Sequence, residues 1–256
     1  MTNTTGKTTT STLRETMRAN ALRHQESSTL RRMKTFNHIE VSLGYDDLVT
    51  ETSDHGRRYQ TPEGELYPSI TTVLSILSED SIGKWRKNVG EEEANRVSRR
   101  AANRGTGMHL MAEKYLLNHD DYLDDQPPHV KALFKSIKPI LDSRIDNIHF
   151  QEVALYSDKL KVAGRVDCIA EFDGVLSVID FKTSSKPKKE SWISSYFMQA
   201  SFYAASYYER TGTPIQQSVI VMAVESDEPQ VFIQPTFKWL KPFMETRNEY
   251  RKRKGI

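Results

Sequence analysis

The chain predicts a mixed α/β (α+β) fold, a central mixed sheet with helices on its faces, and three observations carry that expectation. Apolar residues recur near a 3.6-residue period from Ser69 to about Ile145. From Phe150 to Thr183 the pattern changes to strand-like runs broken by turn residues, of which Asp173-Gly174 is the sharpest signal. A long helical segment, two further strand-like runs and a closing amphipathic segment complete the chain.

Residues 1–32 are rich in Thr, Ser and Arg and poor in large apolar side chains, which predicts a disordered N-terminal extension. A mitochondrial transit peptide has a similar composition. One domain is predicted over 33–256. It opens on the alternating "TFNHIEV" and on a hairpin in "RRYQTPEGELYPS", with Pro62 and Gly64 in turn positions. Helices are expected over Ser69 to Leu77, around Trp85, over Glu91 to Arg104, over Thr106 to Leu117, and from His129 to about Ile145 with a bend at Pro139. An acidic loop, "NHDDYLDDQPP", separates the last two. Strands follow at Phe150 to Tyr156, Lys161 to Phe172 and Val175 to Thr183. A helix from about Trp192 to Arg210 ends at Gly212-Thr213-Pro214. "QQSVIVMAVES" and "QVFIQP" read as strands, and Lys238 to Arg253 as the last helix.

With 36 basic and 34 acidic residues the net charge is +2, so only local clustering can identify a charged partner. The single cysteine, Cys168, excludes an internal disulfide, a cysteine-rich zinc site and a four-cysteine iron–sulfur cluster. No apolar run approaches the ~20 residues that span a bilayer. The expectation is a soluble monomer with no membrane association, in the cytoplasm of a bacterial or phage-infected cell, with the mitochondrial matrix as the alternative.

A two-residue turn at Asp173-Gly174 pairs Phe172 with Val175, and counting back sets Asp167 opposite Asp180. Alternation places Asp167, Ile169 and Glu171 on the same side as Leu176, Val178, Asp180 and Lys182. Facing carboxylates repel unless one keeps a proton or a cation lies between them. A divalent metal resolves the conflict, and hard oxygen donors suit Mg²⁺ or Mn²⁺. Lys182 beside it could activate water or stabilise the transition state. On spacing alone, Asp180 and Lys182 also fit the solvated face of an edge strand. Against that, "LSVIDF" is apolar enough for an interior strand, where charges have partners.

Asp167 in "GRVD" with Asp180 and Lys182 in "IDFKT" resembles the Asp…(Asp/Glu)-x-Lys core of the PD-(D/E)XK nuclease superfamily. More narrowly, it is similar to the RecB-type branch that contains the mitochondrial genome maintenance exonuclease and phage-encoded exonucleases. "RGTGMH", "QEVALYS" and "QASFY" match that branch in order, from about Tyr67 to the C-terminus. The resemblance implies a restriction-endonuclease-like core with an N-terminal helical region over the active site. It implies that Asp167, Asp180 and the backbone carbonyl of Phe181 ligate metal, that His109 completes the site, and that Lys182 is the catalytic lysine. Gln199 and Tyr203, on one helical face, would contact the DNA strand. By itself His109 also fits a surface or core histidine, or a helix pair with Glu113. Glu152 either assists the metal or faces solvent.

"KTSSKPKKE" follows the metal strand, which places Thr183, Ser184 and Lys186 beside the scissile phosphate. Arg96, Arg99, Arg100 and Arg104 either line a passage for a phosphate backbone or complement a helix dipole begun by Glu91, Glu92 and Glu93. The function expected from the resemblance is a Mg²⁺- or Mn²⁺-dependent DNA exonuclease acting on free single-stranded ends. A duplex-end resecting recombination nuclease, a catalytically inactive DNA-end-binding module and an RNA-processing nuclease are the rivals.

Overall fold

The Asp173-Gly174 turn forms as its residues dictate, with φ of +54° and +75°, the left-handed pair that a tight hairpin needs. It joins β5 (Val162–Phe172) to β6 (Val175–Ser184), with Phe172 opposite Val175. Pairing runs back to Cys168 and Ile179, one step short of the two aspartates. There the Asp167 carboxylate instead accepts the Phe181 N–H at 2.8 Å.

The computed structural model describes residues 34–54 and 56–255. The extension expected over 1–32 lies outside them, and Phe36–Ile256 forms one compact unit. Its five-stranded sheet has the order β4-β5-β6-β7-β8, with β4 at Ile145–Ser157, β7 at Gln217–Val224 and β8 at Gln230–Pro235. Only the β6–β7 pair is parallel. The helix Ser194–Thr211 provides the crossover that a parallel pair requires.

Strand alternation sends Cys168, Ala170, Ile179 and Phe181 to one face and Ile169 and Val178 to the other. The first set packs with helices Glu91–Leu116 and Pro128–Arg144 through Met108, Met111, Tyr115, Phe134 and Ile137. The second packs with Ser194–Thr211 and the closing helix Phe237–Lys254 through Phe202, Tyr203 and Phe243. This is the predicted mixed α/β fold, with a covered face on each side of the sheet.

In chain order the helices are α1 (Ile70–Leu74), α2 (Glu79–Val89), α3 (Glu91–Leu116), α4 (Pro128–Arg144), α5 (Ser194–Thr211) and α6 (Phe237–Lys254). Helices expected to break between Arg104 and Thr106 are one 26-residue helix, α3. A glycine inside a helix costs about 1 kcal/mol relative to alanine and does not by itself stop it. Pro139 likewise leaves α4 continuous. "TFNHIEV" forms no strand beyond a single bridge from His38 to Ile148. A small antiparallel sheet comprises β1 (Val49–Ser53), β2 (Gly56–Gln60) and β3 (Leu66–Pro68). Its β2–β3 pair is the expected hairpin, while β1 is fully exposed and lacks the apolar alternation that would have predicted it. Trp192 precedes α5, in a short 3₁₀ turn. Among the described residues no helix is long and apolar enough to cross a membrane.

Candidate active site

β6 brings Asp180, Phe181 and Lys182 to the end of the core. Asp180 is 1% exposed. Lys182 Nζ stands 2.7 Å from its Oδ1 and 2.6 Å from its Oδ2, and 5.1 Å from the centre of the Tyr196 ring on α5. Burial pushes the Asp180 carboxyl up and Lys182 pulls it back, with Asp167 adding to the rise, so the outcome is upward.

α3 contributes His109 from the opposite face of the sheet. Its Nε2 lies 2.7 Å from the Phe181 carbonyl oxygen, and because a carbonyl only accepts, the hydrogen is on Nε2. Nδ1 is 3.6 Å from Asp167 Oδ1 and 3.8 Å from Glu152 Oε1. Burial works against the imidazolium, but Asp167 and then Glu152 outweigh it and raise the pKa to about 9. At neutral pH the ring is therefore a cation facing two carboxylates.

Glu152 reaches this point through an unusual backbone conformation on β4, with φ of +46°, a region that side-chain-bearing residues seldom adopt. Arg165 holds the distorted strand by donating to the Glu152 carbonyl oxygen, and it also pairs with Asp47 at 2.5 Å. The facing carboxylates are thus already separated by the chain's own cations, Lys182 at Asp180 and His109 at Asp167 and Glu152.

His109, Glu152 and Asp167 each offer one ligand atom, and these atoms all lie within 4.8 Å of one another. Two carboxylate oxygens and an imidazole nitrogen suit a divalent metal ion. The structure therefore gathers His109, Asp167, Asp180, Phe181 and Lys182, and it moves Glu152 into the centre of the candidate site. No strand pattern could have given Glu152 this place, because the signal is a positive φ within β4. Tyr196 was also missed, since it approaches Lys182 only through the packing of α5.

Four residues expected to contact the strand are buried in the structure. Tyr203 is 1% exposed, and its hydroxyl donates to the Arg165 carbonyl at 2.6 Å. Gln199 is buried beside it, with Nε2 3.4 Å from that hydroxyl. These two brace β5 two residues before Asp167. The glycine of "GRVD" belongs to the same contact, because a Cβ on Gly164 would stand 2.7 Å from Ile70 Cγ2 and 2.9 Å from the Tyr203 hydroxyl. Ser184 is buried and donates to the Lys186 carbonyl at 2.6 Å, which shapes the turn after β6. Arg104 is buried too, 2.8 Å from Glu225, with Nε donating to Thr183 Oγ1 at 3.1 Å. It ties α3 to the ends of β6 and β7.

Of the other arginines, Arg96 pairs with Glu93 at 2.7 Å and Arg100 with Glu225 at 3.3 Å. Arg99 is exposed and has no ion pair among the described residues. Lys186 is exposed.

A buried Asp-x-Lys on a central strand, a second aspartate on its hairpin partner and a mixed sheet covered on both faces define a PD-(D/E)XK nuclease core. Residues 83–234, more than half of the chain, match the family model of the PD-(D/E)XK nuclease superfamily. The chain belongs to that superfamily, with its restriction-endonuclease-like fold. Mitochondrial genome maintenance exonuclease 1 of Mus musculus is 26% identical over 173 residues, covering 63% of this chain and 51% of that protein. The Homo sapiens protein of that name is 26% identical over 176 residues, 63% of this chain and 50% of its own length. The Xenopus tropicalis protein is 29% identical over 129 residues, 47% and 37% respectively. This chain therefore spans about half or less of the length of these relatives.

Proposed function

We propose that this chain is a Mg²⁺- or Mn²⁺-dependent deoxyribonuclease, an exonuclease that hydrolyses phosphodiester bonds from free single-stranded ends. The observation that carries the proposal is the convergence of His109, Glu152 and Asp167 within ligand distance of one another, one strand away from the buried Asp180–Lys182 pair. Those three residues would hold the ion, with Asp180 and the Phe181 carbonyl as the adjoining oxygen donors. A bound divalent ion supplies Lewis-acid polarisation of the phosphate and a more acidic water. Lys182 supplies N–H donors and positive charge where charge develops on the phosphate oxygens. Exonuclease action, genome maintenance and a mitochondrial location are supported by the name of the relatives. That name favours the mitochondrion over the expected cytoplasm.

The test is a panel of 5′- and 3′-labelled single-stranded, duplex and RNA oligonucleotides with Mg²⁺ or Mn²⁺. Loss of mononucleotides or short products from linear single-stranded DNA is the expected result. Preferred cutting of duplex ends would replace the proposal with a resecting nuclease. Preferred cutting of RNA would make it an RNA-processing enzyme, and binding without cutting would make it an end-binding module.

A further inference from the structure

The segment that leaves the catalytic strand ends in an exposed indole. Trp192 is 63% exposed, whereas Trp85 and Trp239 are half-buried. A lone exposed apolar side chain is ordinary, so its surroundings must carry the argument. The indole stands on a fixed mount: the Trp192 N–H donates to the Lys189 carbonyl at 2.9 Å and the Ile193 N–H to the Glu190 carbonyl at 3.1 Å. The preceding loop is clamped to β8. The Lys188 N–H donates to Gln230 Oε1 at 2.7 Å, Gln230 Nε2 donates back to the Lys188 carbonyl at 3.0 Å, and Gln234 Nε2 donates to Glu190 Oε1 at 2.7 Å. Immediately beyond the ring, Ile193 is 1% exposed and locks into the core.

The charge around the ring is positive. Lys189 Nζ lies 5.5 Å from the ring centre, and Lys186 and Lys188 share the segment with a single acid, Glu190. The segment begins two residues after Lys182, and Gln230, to which it is clamped, is paired to Met222, itself the partner of Lys182. An exposed aromatic face on a fixed backbone, beside lysine, matches a single nucleic-acid strand, whose bases stack on the ring while its phosphates meet the ammonium groups. In a duplex those base faces are already covered by their neighbours.

We propose that Trp192, with Lys189 beside its ring and Lys186 earlier in the same segment, is a stacking platform for an unpaired base of a single-stranded nucleic acid on its way to or from Lys182. The approach to Lys182 rests on the nuclease proposal above, whereas stacking can be measured without cleavage. The experiment is equilibrium binding of a fluorescent oligothymidylate to the full chain in EDTA, for wild type, Trp192→Phe, Trp192→Leu and Lys189→Gln.

Trp192→Leu is expected to weaken binding roughly 5- to 100-fold with the salt dependence unchanged, and Trp192→Phe to retain most of the affinity. Lys189→Gln should flatten the log–log salt slope by about 0.7. An oligonucleotide of the same length without bases should bind wild type more weakly and Trp192→Leu no more weakly than the intact strand. Equal affinity of Trp192→Leu and wild type, the same abasic penalty in both, or absence of single-strand binding by wild type would overturn the platform. Capture of a protein rather than nucleic acid at the ring would overturn it as well. A wild type that binds in a Trp192-dependent manner but never cuts with Mg²⁺ or Mn²⁺ sinks only the nuclease proposal.

Discussion

His109 on α3 donates a 2.7 Å hydrogen bond to the carbonyl of Phe181 on β6, joining positions 72 residues apart where the acidic side chains converge. The ring's other nitrogen, Nδ1, faces Asp167 and Glu152, and the charge it carries there is sensitive to pH. The folded-state pKa, about 9, lies above the ordinary histidine value of about 6.5. The stability it contributes is therefore fully present below about pH 6.5 and lost as pH rises toward about 9. Metal-free protein should show a falling melting temperature across that window, and His109→Gln should remove most of the fall. An ion that takes Nδ1 must displace a proton. Calorimetry near pH 7.5 in buffers of different ionisation enthalpy should then report about one proton released per ion by wild type and about none by His109→Gln. Equal proton release from both proteins would remove His109 from the ligand set.

Lys182→Ala separates chemistry from binding and also exposes the cost of the buried pair. Removing the ammonium leaves Asp180 without its compensating charge, and breaking such a pair typically costs about 3–5 kcal/mol. The side chains are 19% and 2% exposed, so the low end, about 3 kcal/mol, is expected in metal-free buffer. Added Mn²⁺ should recover part of that loss. Turnover should fall by roughly 10² or more, as for loss of an electrostatic stabiliser, with strand binding retained. Denaturant melts with and without Mn²⁺, beside single-turnover kinetics, check both halves. Normal turnover in a well-folded variant would take Lys182 out of the chemistry.

Glu152 offers a test that separates backbone from ligand. In its left-handed conformation, glycine is free of the strain that any other replacement bears, about 1–2 kcal/mol. Glu152→Gly should therefore be about 1 kcal/mol more stable than Glu152→Ala, reversing the order usual in a strand. Both variants should bind Mn²⁺ at least tenfold more weakly than wild type. Isothermal titration and urea melts of the pair suffice, and wild-type Mn²⁺ affinity in either would return Glu152 to a structural role.

The hairpin and its chemistry were legible because both are local: Asp173-Gly174 fixes the register, and register fixes which side chains share a face. The helices and the five main strands were legible from periodicity. What stayed hidden depends on non-local geometry. The positive φ at Glu152 occurs inside a strand pattern, and Tyr196 meets Lys182 only after α5 docks on the sheet. Tyr203 and Gln199 share a helical face, as their spacing requires, but spacing cannot say whether that face meets solvent or core. α3 continued past Gly105 because packing on both sides of that residue outweighs one unfavourable propensity.

The arginines of α3 give the last prediction, because the structure divides residues that the sequence grouped. Arg104 is buried against Glu225 and Thr183, so Arg104→Gln should cost about 1.5–3 kcal/mol, the range for hydrogen bonds to charged groups. The salt dependence of strand binding should stay as it was. Arg99 is exposed at the surface of the same helix. Arg99→Gln should leave stability within about 0.5 kcal/mol of wild type. If the strand passes along α3, it should weaken binding to every sequence and lower the log–log salt slope by about 0.7, one phosphate contact. Urea melts and salt-dependent affinities on the two variants decide the path. A flattened slope in a fully stable Arg104→Gln would place the strand against the buried cluster. An unchanged slope in Arg99→Gln would leave the loop bearing Lys186 and Lys189 as the route of the phosphate backbone, since there the Lys189 ammonium stands beside Trp192.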